Sequence, residues 1–156
     1  MFSHVLIPLD GSELAEKALD PLQNLLRPQG KVTLLTIVES LESSDDPNNP
    51  LNQTKSYLEH IASRLKLNGF EVEIELRTGD PAEAIVGFAM HTSLDMIVMS
   101  THGRSGLERL LFGSVTLKVL STSPCPVLMV PNRERQRVED ASRVTNDAPD
   151  LTPGLA

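Results

Sequence analysis

Aromatic residues are scarce in this chain: 3% of its 156 residues, with no Trp and one Tyr. Any core must therefore be aliphatic, and stacking platforms for single-stranded nucleic acid are nearly absent. Positive charge is also short. Fourteen Lys and Arg face 21 Asp and Glu, for a net charge of −7, which argues against a protein that grips a phosphate backbone. The single cysteine, Cys125, excludes an intrachain disulfide and fits a reducing compartment. Set between Pro124 and Pro126, it reads as a buried structural thiol. No apolar run approaches the ~18 residues needed to cross a bilayer, and the first residues lack the basic-then-apolar order of a secretory signal. His4, His60, His91 and His102 show no ligand spacing, so no zinc site is expected. A cytoplasmic protein that contacts neither nucleic acid nor membrane is the expectation.

What is present is an alternation of buried strands and amphipathic helices. Val5 to Asp10 reads as a strand that ends at Pro8, and Ser12 caps the helix after it. That helix carries Leu14, Ala15, Ala18, Leu19, Leu22, Leu25 and Leu26 at helical spacing, with a break expected near Asp20 because Pro21 interrupts it. Residues 31–38 are apolar on both faces, as in a parallel sheet. Residues 39–52 are acidic and polar and read as a loop, followed by a helix over 53–67 that stops at Asn68-Gly69. Residues 70–77 alternate as a peripheral strand does. Asp80, Pro81 and Glu83 then start a helix by capping, first-position proline and a capping-box pattern. It runs to about His91, and Leu94 to Ser100 and Pro126 to Pro131 give two more strands. The β-α-β-α-β-α-β-α-β order predicts a single-domain, open, five-stranded parallel sheet with helices on both faces, Rossmann-like, over residues 1–131. Residues 132–156, with four Arg, five acids and no apolar periodicity, read as a disordered tail.

The chemistry concentrates between the fourth strand and the helix after it. From Ser100, the run Thr101-His102-Gly103-Arg104-Ser105-Gly106 leads through Leu111-Phe112-Gly113-Ser114-Val115 into a helix over 115–120. A helix N-terminus offers unpaired N–H groups and partial positive charge, and glycines let a ligand approach the backbone. Within residues 100–118, Arg104, Arg109 and Lys118 outnumber one acid, Glu108, which makes a basic island in an acidic chain. The stretch is neither a P-loop nor a Gly-x-Gly-x-x-Gly fingerprint, and it is not a nucleophile elbow. It reads as a phosphate cradle, against the plainer reading of a strand-to-helix loop in which Ser114 caps the helix. In open parallel sheets the ligand lies beyond the carboxyl ends of the strands at the switch point, so Asp10 faces this stretch if the first and fourth strands adjoin. No catalytic set is visible.

Ile7-Pro8-Leu9-Asp10-Gly11-Ser12, Gly79-Asp80-Pro81, His102-Gly103-Arg104-Ser105-Gly106, Leu111-Phe112-Gly113-Ser114-Val115 and Pro124-Cys125-Pro126-Val127-Leu128-Met129-Val130 together resemble the universal stress protein family over about residues 1–131. The resemblance implies that family's α/β fold, with strand order 3-2-1-4-5, and a homodimer formed through the last strand, Val127 to Val130. The ATP-binding branch has Gly, two residues, Gly, nine residues, then Gly-Ser or Gly-Thr. Gly103, the nine residues Arg104 to Phe112, and Gly113-Ser114 match, whereas Ser100 stands where the first glycine would be. By resemblance, Asp10 and the backbone at Ile37 hold the adenosine end, and Gly103, Gly113, Ser114 and Val115 hold phosphates. Pro8, Ser100, His102, Arg104 and Gly106 complete the candidate site. The cofactor expected is ATP or another adenine nucleotide, with Mg²⁺ or Mn²⁺ on its phosphates and metal ligands unassigned. A nucleotide-dependent stress or regulatory sensor with little or no hydrolysis follows, with an unidentified protein partner. The alternatives are a non-nucleotide interaction module of the same fold, or a slow ATPase.

Overall fold

The computed structural model describes residues 1–101 and 113–131. Five strands, β1 (Phe2–Pro8), β2 (Leu26–Ile37), β3 (Glu71–Arg77), β4 (Met96–Thr101) and β5 (Val127–Pro131), form one sheet in the order β3-β2-β1-β4-β5. All four pairings are parallel. The expected open Rossmann-like sheet and its strand order are therefore what the chain adopts, and β1 and β4 adjoin. The helices are α1 (Glu13–Glu16), α2 (Leu22–Leu25), α3 (Pro50–Leu67), α4 (Pro81–His91) and α5 (Ser114–Thr122).

Successive strand residues point to opposite faces, so a central strand covered on both faces must be apolar throughout. In β1, Val5 and Ile7 pack with Leu22, Leu58, Ile61 and Leu65 from α2 and α3. Leu6, between them, packs with Ile85, Phe88 and Val119 from α4 and α5. Each such fully buried aliphatic side chain contributes about 1.5–3 kcal/mol. At the sheet edge, β3 places Val72, Ile74 and Leu76 against the first of these clusters and leaves Glu71 and Glu73 exposed.

Some boundaries match the sequence reading and others do not. The segment after Ser12 breaks near Asp20, as expected from Pro21: α1 passes through a 3₁₀ turn at Lys17–Leu19 and stops, and α2 restarts behind Pro21. The proline ring cannot take part in a continuous helical ladder. The loop over 39–52 ends early, because Asn49 caps α3 by accepting from the Leu51 N–H at 2.9 Å and Pro50 takes the first helical position. The second strand begins at Leu26 rather than Lys31: Phe2 pairs with Leu26 and His4 with Lys31, so the register of the pair shifts between them. Cys125 is half-buried rather than buried, and Ser123 Oγ donates to its carbonyl oxygen at 2.7 Å. The 132–156 tail lies outside the described residues. Among those described, no helix is long and apolar enough to cross a membrane.

Candidate functional site

The chain leaves β1 toward the α1–α3 face and leaves β4 toward the α4–α5 face. Adjacent strands whose continuations diverge open a crevice at their carboxyl ends. Here that crevice is a cleft of about 400 Å³. Pro8 and Asp10 line it from β1, Ile37 from the end of β2, Ser100 from β4, and Gly113, Ser114 and Val115 from the start of α5. Seven of the candidate residues are thus brought together. His102, Gly103, Arg104 and Gly106 lie outside the described residues.

Asp10 is held by its surroundings. The Leu9 N–H donates to the Leu35 carbonyl at 2.9 Å, and the buried Thr36 hydroxyl donates to the Leu9 carbonyl at 2.8 Å. Gly11 then turns the chain at φ +84°, a conformation that a side chain rarely adopts. Ser12 donates both its N–H, at 2.9 Å, and its hydroxyl to one Asp10 carboxylate oxygen. The same hydroxyl accepts from the Ala15 N–H at 3.1 Å, which caps α1. Behind this turn the Tyr57 hydroxyl donates to Glu16 at 3.1 Å, and Arg64 lies 3.8 Å from the other Glu16 oxygen. Burial raises the Tyr57 pKa above its usual range, and the charges of Glu16 and Asp10 add to it. Tyr57 therefore stays neutral and ties α3 to α1.

Across the cleft, α5 begins differently from the sequence reading. The cap is Gly113, extended at φ −61° and ψ 161°, and Ser114 is the first helical residue. Gly113 has no side chain to satisfy the first-turn N–H groups, whereas Asp80 caps α4 by accepting from the Glu83 N–H at 2.9 Å. An added Cβ at Gly113 meets nothing within 4 Å, and its φ is negative. Neither backbone geometry nor the described packing requires glycine there. Lys118 is also not a free member of the basic island. It pairs with Asp80 at 3.3 Å and Glu83 at 3.0 Å, both far outside the window in which its neighbours were counted. Those carboxylates raise its pKa, and Asp80 sits below the usual carboxylate range chiefly because the Glu83 amide donates to it.

Sequence reasoning missed several lining residues, notably Leu35, Pro81, Ile85, Met99 and Thr116. Pro81 and Ile85, one turn apart at the start of α4, read simply as a helix start and a core position. Thr116 carried a usable signal, a second hydroxyl two residues past Ser114 at the same helix mouth. Among the described residues, no group of three or more His, Cys, Asp or Glu could hold a metal ion.

Comparison with known proteins places this architecture. The model of the universal stress protein family matches residues 1–131. Universal stress protein MJ0577 of Methanocaldococcus jannaschii is 30% identical over 157 aligned residues, covering 85% of this chain and 97% of the relative. Its solved structure superposes with a TM-score of 0.68 at 33% identity, covering 85% of this chain and 98% of that one. A universal stress protein solved in complex with cAMP gives a TM-score of 0.61 at 24% identity, over 83% of this chain and 97% of that one. An Arabidopsis thaliana family protein solved with AMP bound gives 0.62 at 18% identity, over 90% and 98%. At those identities the last two establish the shared fold alone. With residues 1–131 matched and the sheet in the same order, this chain is a member of the universal stress protein family.

Proposed function

We propose that the chain binds an adenine nucleotide, ATP or a relative of it, in the cleft beyond β1 and β4, and acts as a cytoplasmic, dimeric, nucleotide-dependent stress or regulatory protein. The observation that carries this is the convergence of Pro8, Asp10, Ile37, Ser100, Gly113, Ser114 and Val115 on one cleft. The two walls suit the two ends of such a ligand. The α5 wall offers first-turn N–H groups with no capping side chain, together with Ser114 and Thr116, which suits phosphate. The opposite wall offers a carboxylate, Asp10, which repels phosphate and accepts from sugar hydroxyls, next to apolar Leu35 and Ile37. Gly113 supports the same reading, since a glycine that the packing of the described residues does not require leaves room for a ligand. The same fold holds AMP in the Arabidopsis protein and cAMP in another, so the architecture accommodates the class. Mg²⁺ or Mn²⁺ would be held chiefly by the phosphates, with the Ser114 and Thr116 hydroxyls as the protein's own oxygen donors.

The dimer is proposed through β5. Among the described residues that strand ends the sheet, and Val127 to Val130 are half-buried apolar residues on its outer edge. Hydrolysis is not part of the proposal, because Asp10 accepts two hydrogen bonds from Ser12 and no other described lining residue is an obvious base for an attacking water. Ser100, standing where the nucleotide-binding branch has glycine, favours a second reading, an interaction module without nucleotide. Mass spectrometry of what co-purifies, followed by calorimetric titration with ATP, ADP and AMP, separates the two. An adenine nucleotide bound below millimolar concentration is expected, and binding of none at millimolar nucleotide would sink the proposal.

A further inference from the structure

The order of the sheet sets the order of the cleft. Along the sheet its walls run from the end of β2 at Ile37, past the end of β1 at Asp10, to the end of β4 at Ser100, and the mouth of α5 at Gly113 and Ser114 lines the same cleft. A nucleotide lying with its sugar at Asp10 and its distal phosphates at α5 must pass Ser100 where sugar meets phosphate. Ser100 sits on a strand, not on a loop, and pairs in register with Val130. Its position is therefore fixed before any ligand arrives. Among the described residues its hydroxyl makes no hydrogen bond, in contrast to Ser12 and Thr36, whose hydroxyls are both engaged by the protein.

Resting on the nucleotide reading above, we infer that Ser100 is a specificity-determining residue whose hydroxyl donates to the phosphate nearest the sugar. The serine is then no impairment of a glycine motif. It adds a donor that glycine lacks, at the one phosphate that mono-, di- and triphosphates share. A hydrogen bond to a charged group exceeds one between neutral groups, and this one is preorganised by the strand. The consequence is a site that holds a nucleoside monophosphate nearly as firmly as the triphosphate at this position.

The test is calorimetric titration of the wild type and Ser100→Ala with adenosine, AMP and ATP. The expected result is a loss of roughly tenfold in affinity for both AMP and ATP, with adenosine changed less than about twofold. An equal loss for adenosine would place the hydroxyl on the sugar, and a loss for ATP alone would place it on a distal phosphate. Either result overturns the inference, as does unchanged or tighter AMP binding by the variant. If the wild type binds none of the three, the nucleotide reading itself falls and takes this inference with it. Removing one oxygen from a half-buried serine should leave the thermal midpoint close to wild type, so a loss of binding will not be confused with a loss of fold.

Discussion

The two ends of the sheet are built on opposite rules. At the amino ends of the strands, polar groups are consumed by the protein. Asp95 accepts from the Ser3 and His4 N–H groups at 2.6 and 2.8 Å, and its own N–H donates to the His4 carbonyl at 2.9 Å. His4 Nδ1 lies 3.2 Å from the Ser93 carbonyl, and Nε2 lies 2.9 Å from the hydroxyl of the fully buried Thr33. At the carboxyl ends, one side of the cleft is equally tied down, through Thr36, Leu9, Asp10 and Ser12. The other side leaves the Ser100 hydroxyl without a hydrogen bond among the described residues and the α5 first turn without a capping side chain. Polar groups that close on one another hold the fold together. Groups left facing a cleft are available to a ligand, and their free energy appears only on binding.

The sharpest way to break this comparison is Gly113→Val. Among the described residues a Cβ there has open space, and the backbone is permissive, so the thermal midpoint should move by no more than about 2 °C. Adenine-nucleotide affinity should fall by about a hundredfold or more, because the added branches occupy the approach to the α5 N–H groups. Titration beside a melting curve measures both, and a collapsed midpoint with retained binding would reverse the assignment of the two ends. The converse variant is Asp95→Ala, which removes one acceptor from two backbone donors. By analogy with lost side-chain caps it should cost about 1 kcal/mol in denaturant unfolding. Nucleotide affinity should not change.

How much of this was legible in the sequence follows from the range of each signal. The sheet order could be expected because β1, β2 and β4 are apolar at consecutive positions and the motifs recur in family order. The start of α4 was legible residue by residue, since Asp80, Pro81 and Glu83 act within one turn. The α5 start was misplaced by one residue, because Gly113 and Ser114 are both acceptable caps and only the backbone decides between them. The Lys118 pairing was invisible, since its partners lie 38 and 35 residues earlier and meet it only when α4 and α5 pack side by side. The same holds for Leu35 and Met99, core residues by pattern that reach the cleft only because their strands end there. The candidates at His102, Gly103, Arg104 and Gly106 rest on the sequence alone.

A smaller effect should come from His4. Burial and the nearby Lys31 ammonium lower its pKa in the fold, against smaller raising contributions from the Ser93 carbonyl, Glu73 and Asp95. The folded protein therefore favours neutral imidazole, with Nδ1–H donating to Ser93 and Nε2 accepting from Thr33. The unfolded chain takes up its proton first as pH falls. His4 thus contributes stability that is present above its ordinary pKa near 6.5 and is lost as pH drops through the lower folded value. Unfolding free energies measured from pH 7 to pH 5 should decline in the wild type, with a flatter profile in His4→Gln. An identical slope in both would detach the amino-end network from the pH response.

The smallest effect expected is from Lys118→Met, and it bears on the comparison most subtly. Lys118 stands one turn inside α5 and bridges to the start of α4, so it links two elements that line the same cleft. Its pairing looks like the closed networks of the amino end, yet it lies at the open one. All three side chains are largely in water, where ion pairs contribute little and salt screens them. A thermal midpoint change of about 1 °C or less is therefore expected, vanishing at high salt. If Lys118 instead turns toward bound phosphate, the variant will keep its midpoint and lose affinity in proportion to the number of phosphates, more for ATP than for AMP. Unchanged affinity for both nucleotides would assign Lys118 to the α4–α5 brace, and the open side of the cleft would then rest on backbone N–H groups and hydroxyls rather than on this cation.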